Sequence, residues 1–141
     1  MRAANLWSSP AATTDANAQS VLIVDDDLDI LAALAELLES QGYEVTMVTD
    51  ARAALSHLRD GLRPCVILLD LMMPGMNGWD FRTEQLKDID LRDIPVVIVT
   101  AADISEAALK SQLGDISLLR KPAAEDELIS IVRRHCGESF H

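Results

Sequence analysis

The sequence predicts an α/β fold, a doubly wound five-stranded parallel sheet with helices on both faces. Three observations carry this. Continuous apolar runs stand at Val21-Leu22-Ile23-Val24, Val66-Ile67-Leu68-Leu69 and Val96-Val97-Ile98-Val99. Unbroken runs of this kind suit strands covered on both sides, as parallel strands are. Stretches with helical spacing separate them, and the alternation of strand and helix implies right-handed crossovers. Each run also stops abruptly at a polar residue, Asp25, Asp70 or Thr100.

Taken in order, residues 1–19 read as a disordered tail. Ala, Ser, Thr and Asn dominate there, Pro10 interrupts, and large apolar residues are few. Residues 20–136 form the domain, and 137–141 a short C-terminal tail. After the first strand, Leu31, Leu34 and Leu38 mark a helix that Gly42 stops. Tyr43 to Val48 is a second, β-rich run. Ala51, Ala54, Leu55 and Leu58 mark the next helix, ended near Gly61. Trp79–Leu86 and Ile104–Leu113 read as helices of less regular apolar spacing. Leu118-Leu119 is a short fifth strand. Leu128, Ile131 and Val132 mark a last helix, whose Glu125, Asp126 and Glu127 suit a positive N-terminus.

Composition narrows the function. At 141 residues the chain is one domain's worth, and a chain of this size buries ~68% of its unfolded surface. Its net charge of −11 argues against a nucleic-acid partner and against an anionic membrane surface. No apolar run reaches the ~18 residues of a membrane helix, and no apolar segment follows Arg2 as in a signal peptide. A cytoplasmic location is expected. Cys65 and Cys136 lie far apart without a CxxC pattern, so free thiols are the expectation rather than a disulfide or a zinc site. His57, His135 and His141 show no metal-ligand spacing. Met72, Met73 and Met76 read as packing residues.

Ligands of doubly wound sheets bind beyond the carboxyl ends of the strands, so the strand-terminal residues matter most. The first strand ends in Asp25-Asp26-Asp27, the third in Asp70 and the fourth in Thr100, and the fifth runs into Lys121-Pro122. Each has an ordinary explanation alone. Asp27 fits a helix cap, Asp29 a solvated face, Asp70 a strand leading into the turns of Pro74-Gly75 and Asn77-Gly78, and Lys121 a surface lysine. Their convergence on one edge is harder to explain structurally. Two carboxylates ~4 Å apart repel by ~4 kcal/mol at an effective dielectric of 20. Such a cluster recruits a hard cation, and Mg²⁺ prefers one or two carboxylates together with phosphate. Carboxylate, divalent cation, lysine and hydroxyl together point to phosphoryl transfer onto an aspartate.

These segments resemble a known family. Val21-Leu22-Ile23-Val24-Asp25-Asp26-Asp27, then Leu69-Asp70-Leu71-Met72-Met73-Pro74-Gly75-Met76-Asn77-Gly78, then Ile98-Val99-Thr100-Ala101, then Lys121-Pro122 resemble the receiver domain of bacterial two-component response regulators, the CheY-like group, over about residues 20–136. The resemblance implies a flavodoxin-like strand order 2-1-3-4-5. It implies that Asp70 accepts phosphate from a sensor histidine kinase or phosphotransfer protein. Asp26 and Asp70 would hold Mg²⁺, Asp25 would act through water or beside them, and the Met72 backbone carbonyl would add a ligand. Thr100 would meet a phosphoryl oxygen, and Lys121 would pair with the phosphoryl group across a cis bond to Pro122.

The chain departs from the family at Leu118, where an aromatic residue is usual, at Ala123, and at Gly114-Asp115. The first departure implies a switch without an aromatic flip, with the segment Ala101–Leu119 repacking against the last helix. The sequence stops soon after Arg133-Arg134-His135-Cys136. The output is therefore expected to pass through an unknown protein partner, or the receiver belongs to a larger protein. Two rivals remain. In a haloacid-dehalogenase-like phosphatase, Asp25 and Asp27 would serve with Thr100 and Lys121, but Asp70 goes unused. A degenerate receiver acting as a pure interaction module would be expected to lack an active-site position, and none is missing.

Overall fold

A computed structural model describes residues 19–137. Apart from Gln19 and Gly137, the two expected tails lie outside the described residues, as does His141. Five parallel strands, β1 (Ser20–Val24), β2 (Glu44–Val48), β3 (Val66–Asp70), β4 (Val96–Thr100) and β5 (Ser117–Arg120), form one sheet in the order β2-β1-β3-β4-β5. Five helices connect or follow them: α1 (Leu28–Ser40), α2 (Ala51–Arg59), α3 (Gly78–Lys87), α4 (Glu106–Leu113) and α5 (Glu125–Cys136). This is the predicted architecture and strand order.

The unbroken apolar runs are explained by cover on both faces. β1, β3 and β4 are buried along their whole length. On one face, Leu22, Val24, Ile67, Leu69 and Ile98 pack with Leu55 and Leu58 of α2, Phe81 of α3 and Leu109 of α4. On the other, Val21, Ile23, Leu68, Val97 and Val99 pack with Leu31 and Leu38 of α1 and with Leu128, Ile131 and Val132 of α5. The edge strands β2 and β5 are partly exposed, which is why their sequences read less clearly.

The irregular spacing of α3 has a physical cause. Two of its inward positions carry Arg82 and Gln85, both buried. Arg82 donates to the carbonyls of Leu113 and Asp115 and to Gln85 Oε1. Gln85 in turn donates to the carbonyls of Leu91 and Ile94. These bonds satisfy buried backbone oxygens that an aliphatic face would leave orphaned.

Two expectations need correction. Cys65 and Cys136 are not free thiols but a disulfide, with Cα atoms 5.2 Å apart. They are 71 residues apart in the chain. However, Cys65 immediately precedes β3, and Cys136 ends α5, which crosses the sheet to that same edge. The methionines do not all pack either. Met73 is buried and Met76 lies against the core, but Met72 is 59% exposed because it directly follows the strand-end turn.

Candidate functional site at the carboxyl edge of the sheet

Strand order reverses between β1 and β3, which leave in opposite directions toward β2 and β4. The connections therefore diverge and open a crevice at this point, the usual ligand position in such sheets. Asp25, just past β1, and Asp70, the last residue of β3, flank it. Oxygen atoms of Asp25, Asp26 and Asp70 all lie within 4.8 Å of one another. Asp25 and Asp70 are buried and Asp26 is exposed.

Local backbone structure aims these carboxylates. Asp25 Oδ1 accepts from the Asp27 amide at 2.9 Å. Asp27 turns the other way and caps α1, accepting from the amides of Asp29 and Ile30, so the cap reading of Asp27 holds. Asp29 is exposed, as expected. Asp70 Oδ1 accepts from the Met72 amide at 3.2 Å. Beyond it, Asn77 and Asp80 form a reciprocal cap on α3. The Gly78 amide donates to the Leu71 carbonyl at 3.0 Å. A Cβ on Gly78 would stand 2.9 Å from Leu71 Cα and 3.0 Å from the Asp70 carbonyl oxygen. Only glycine lets α3 begin this close to the strand end that carries Asp70.

Lys121 reaches in from the end of β5. Its Nζ lies 2.8 Å from Asp25 Oδ2 and 3.5 Å from Asp70 Oδ2. The Lys121–Pro122 bond is cis, as the resemblance implied, and the Lys121 amide donates to the Thr100 carbonyl at 2.9 Å. Thr100 ends β4, fully buried, and its hydroxyl oxygen accepts from the Ala102 amide at 3.0 Å. Burial first, and then the charge of Asp25, push the Asp70 carboxyl above its ordinary value; Lys121 and the Met72 amide pull it back only in part. Burial pushes Lys121 down, but its bond to Asp25 and the charges of Asp70 and Asp25 outweigh this and hold it above the usual lysine value.

The structure thus brings together Asp25, Asp26, Asp70 and Lys121, with Thr100 at the end of the adjoining strand. An all-oxygen donor set of two buried carboxylates and one exposed one, with a lysine beside it, fits a hard divalent cation and a phosphoryl group. It suits such a cation better than zinc, whose sites usually include nitrogen or sulfur ligands. Beside Lys121 lies an apolar recess of about 460 Å³ lined by Ile30, Ala33, Leu34, Val99, Pro122 and Ala123. Sequence reasoning read Gly78 only as part of a turn and did not single out Arg120. The G-M-N-G turn was a signal for the first; nothing local signals the second.

The family described as response regulator receiver domain matches residues 21–133. Sensory transduction protein RegX3 of Mycobacterium tuberculosis is 40% identical over 116 residues, 81% of this chain and 49% of that protein. The DNA-binding response regulator MtrA of the same organism is 35% identical over 120 residues, 84% of this chain and 51% of that protein. The chain thus spans about half the length of these curated relatives. Among solved structures, chemotaxis protein CheY4 of Vibrio cholerae superposes with a TM-score of 0.75 at 28% identity, covering 82% of this chain and 97% of that one. The signal receiver domain of a histidine kinase from Syntrophus aciditrophicus gives 0.74 at 29%, covering 84% and 89%.

Proposed function

Since the chain belongs to the response regulator receiver domains of two-component signalling, we propose that residues 20–136 are a receiver phosphorylated on Asp70 by a sensor histidine kinase or phosphotransfer protein. The observation that carries this is the Asp70 carboxylate, held at a strand end within one cluster with Asp25, Asp26 and Lys121. An Asp70 oxygen attacks the phosphorus of a phosphohistidine. The O–P bond forms as the N–P bond breaks, and the imidazole leaves. Lys121 pairs with the incoming phosphoryl oxygens, and the Thr100 hydroxyl donates to one of them. Hydrolysis later returns the carboxylate and inorganic phosphate.

Asp26, Asp70 and the Met72 carbonyl, with Asp25 beside them, would hold Mg²⁺. That ion supplies positive charge against the crowded carboxylates and the arriving phosphoryl group. The recess beside Lys121 offers an apolar surface to a partner carrying the phosphohistidine. In this reading the domain is a signalling module that assists its own modification, not a turnover enzyme, and it works in the cytoplasm. Among the described residues no helix is long and apolar enough to cross a membrane. The output partner is a protein. The expected exclusion of nucleic acid is not carried forward, because MtrA is named as DNA-binding.

The phosphatase alternative needs a reactive Asp25. That carboxylate is buried, with one oxygen on the Asp27 amide and the other on Lys121, which leaves it poorly placed as a nucleophile. Incubation with acetyl phosphate and Mg²⁺ tests the reading. Intact-mass measurement is expected to show one added phosphoryl group, absent from Asp70→Asn and absent after chelation. Equal labelling of parent and Asp70→Asn would remove Asp70 from the role.

A further inference from the structure

The loop 101–104 links Thr100 to α4, and its geometry depends on a residue outside it. Arg120 ends β5, in register with Thr100 across the β4–β5 ladder. Its Nη1 donates to the Ala102 carbonyl at 3.0 Å and its Nη2 to the Ile104 carbonyl at 2.5 Å. Within the loop, the Ile104 amide also donates to the Ala102 carbonyl, and the Ala102 amide donates to the Thr100 hydroxyl oxygen. Ser105 follows directly and caps α4, accepting from the Ala108 amide. One guanidinium fork therefore holds both carbonyls of a short segment running from the buried threonine to the first turn of a helix.

We infer that Arg120 is a positioning residue that holds the loop 101–104, and with it α4, in the resting arrangement of the switch. The inference rests on the reading of Asp70 as phospho-acceptor and Thr100 as the hydroxyl that meets the phosphoryl group. A hydroxyl has one proton and two acceptor sites. Thr100 Oγ1 can keep the Ala102 amide while donating its proton to a phosphoryl oxygen, so its movement toward that oxygen pulls on the loop. A displaced loop loses the two bonds to Arg120, which are charge-assisted on the donor side. Arg120 thus favours the resting state, and phosphorylation works against it. A lysine offers a single point charge and cannot span both carbonyls as the planar fork does. By reciprocity, weakening a restraint that opposes the displaced loop strengthens binding of whatever favours that loop.

The structure contains its own reporter. Trp79 Nε1 on α3 donates to Gln112 Oε1 on α4 at 2.6 Å, so displacement of α4 changes the surroundings of the indole. The chain has two tryptophans, and Trp7→Phe leaves Trp79 as the sole emitter. In that full-length background, with Mg²⁺ present, beryllofluoride (a tetrahedral mimic of an acyl phosphate) is titrated while Trp79 emission is followed. Arg120→Ala is expected to lower the half-saturating concentration at least threefold, with Arg120→Lys between it and the parent. In a Thr100→Ala background, with beryllofluoride binding followed by titration calorimetry in all variants because the Trp79 signal is lost there, the Arg120→Ala effect is expected to vanish, because the loop is then uncoupled from the site. A merely structural role would not depend on Thr100. Unchanged or weakened binding in folded Arg120→Ala, or an equal gain with and without Thr100, overturns the inference while leaving the phospho-acceptor reading intact. Failure of the parent itself to give a saturable, Asp70-dependent response overturns both.

Discussion

Asp70 is the residue at which burial and a neighbouring charge work against stability. It is buried near Asp25, its carboxyl is raised by that burial and by that charge, and Lys121 compensates only in part. An acid whose folded pKa lies above its unfolded value binds more protons when folded, so stability falls as pH rises from about 3.8 through the raised value. Asp70→Asn removes this penalty. In chelator at neutral pH its urea midpoint is expected to exceed that of the parent. The gap should close as the pH falls below about 3.8, where the carboxyl is neutral in both states. A midpoint below the parent's at neutral pH would mean that the contact with Lys121 outweighs the repulsion. Gly78 shows the same precision in backbone form, since a single added carbon would meet the Leu71 and Asp70 backbone.

Among the elements, α4 is the one whose attachments suit a moving part. Only Leu109 and Leu113 of its eight residues are buried. The rest of its anchorage is polar: Arg120 before its first turn, Trp79 to Gln112, and Arg82 to the Leu113 carbonyl at its end. Such contacts exchange more readily than a packed aliphatic face. Leu118, where the family usually has an aromatic ring, is half-buried against the core cluster that includes Leu109 and Ile98. As an ordinary packing residue, Leu118→Ala is expected to cost about 1–2 kcal/mol, below the ~2–5 kcal/mol of a fully buried leucine. It is also expected to leave the beryllofluoride response of Trp79 in place. Thr100→Ala is expected to lose most of that response. Denaturant unfolding and the Trp79 titration check both; the reverse pattern would restore a role for position 118 in switching.

At the scale of the molecule, the sheet's two edges carry different tasks. The carboxyl edge holds the carboxylate cluster and Lys121. The opposite edge is closed by the Cys65–Cys136 bond and by Tyr43, whose hydroxyl donates to the Gly137 carbonyl at 2.8 Å. A crosslink spanning 71 residues removes chain entropy from the unfolded state worth ~4 kcal/mol in the loop-closure description. Reduction of the full chain, or Cys136→Ser, is expected to lower stability by about that amount, seen as a lower urea midpoint. Phosphorylation of Asp70, at the far end of β3, should survive under native conditions. Equal midpoints with and without reductant would show that the bond does not form in solution.

Strand identity, helix periodicity and the convergence of strand-terminal residues on one edge were decided by the sequence itself. Runs such as Val96-Val97-Ile98-Val99 are legible because a strand covered on both faces has no polar side to hide the signal. Asp25, Asp70, Thr100 and Lys121 were legible because parallel topology turns positions at successive strand ends into neighbours. Tertiary structure alone decided what rests on contacts between distant segments. The inward Arg82 and Gln85 look like surface residues until the carbonyls they satisfy are in place. Cys65 and Cys136 look unrelated until α5 crosses the sheet. Arg120 reads as one more charged residue beside Lys121 until the ladder sets it opposite the loop that follows Thr100. Periodicity records which side of an element faces apolar surroundings; a hydrogen bond or crosslink depends on distance and direction between two segments, which neither segment encodes alone.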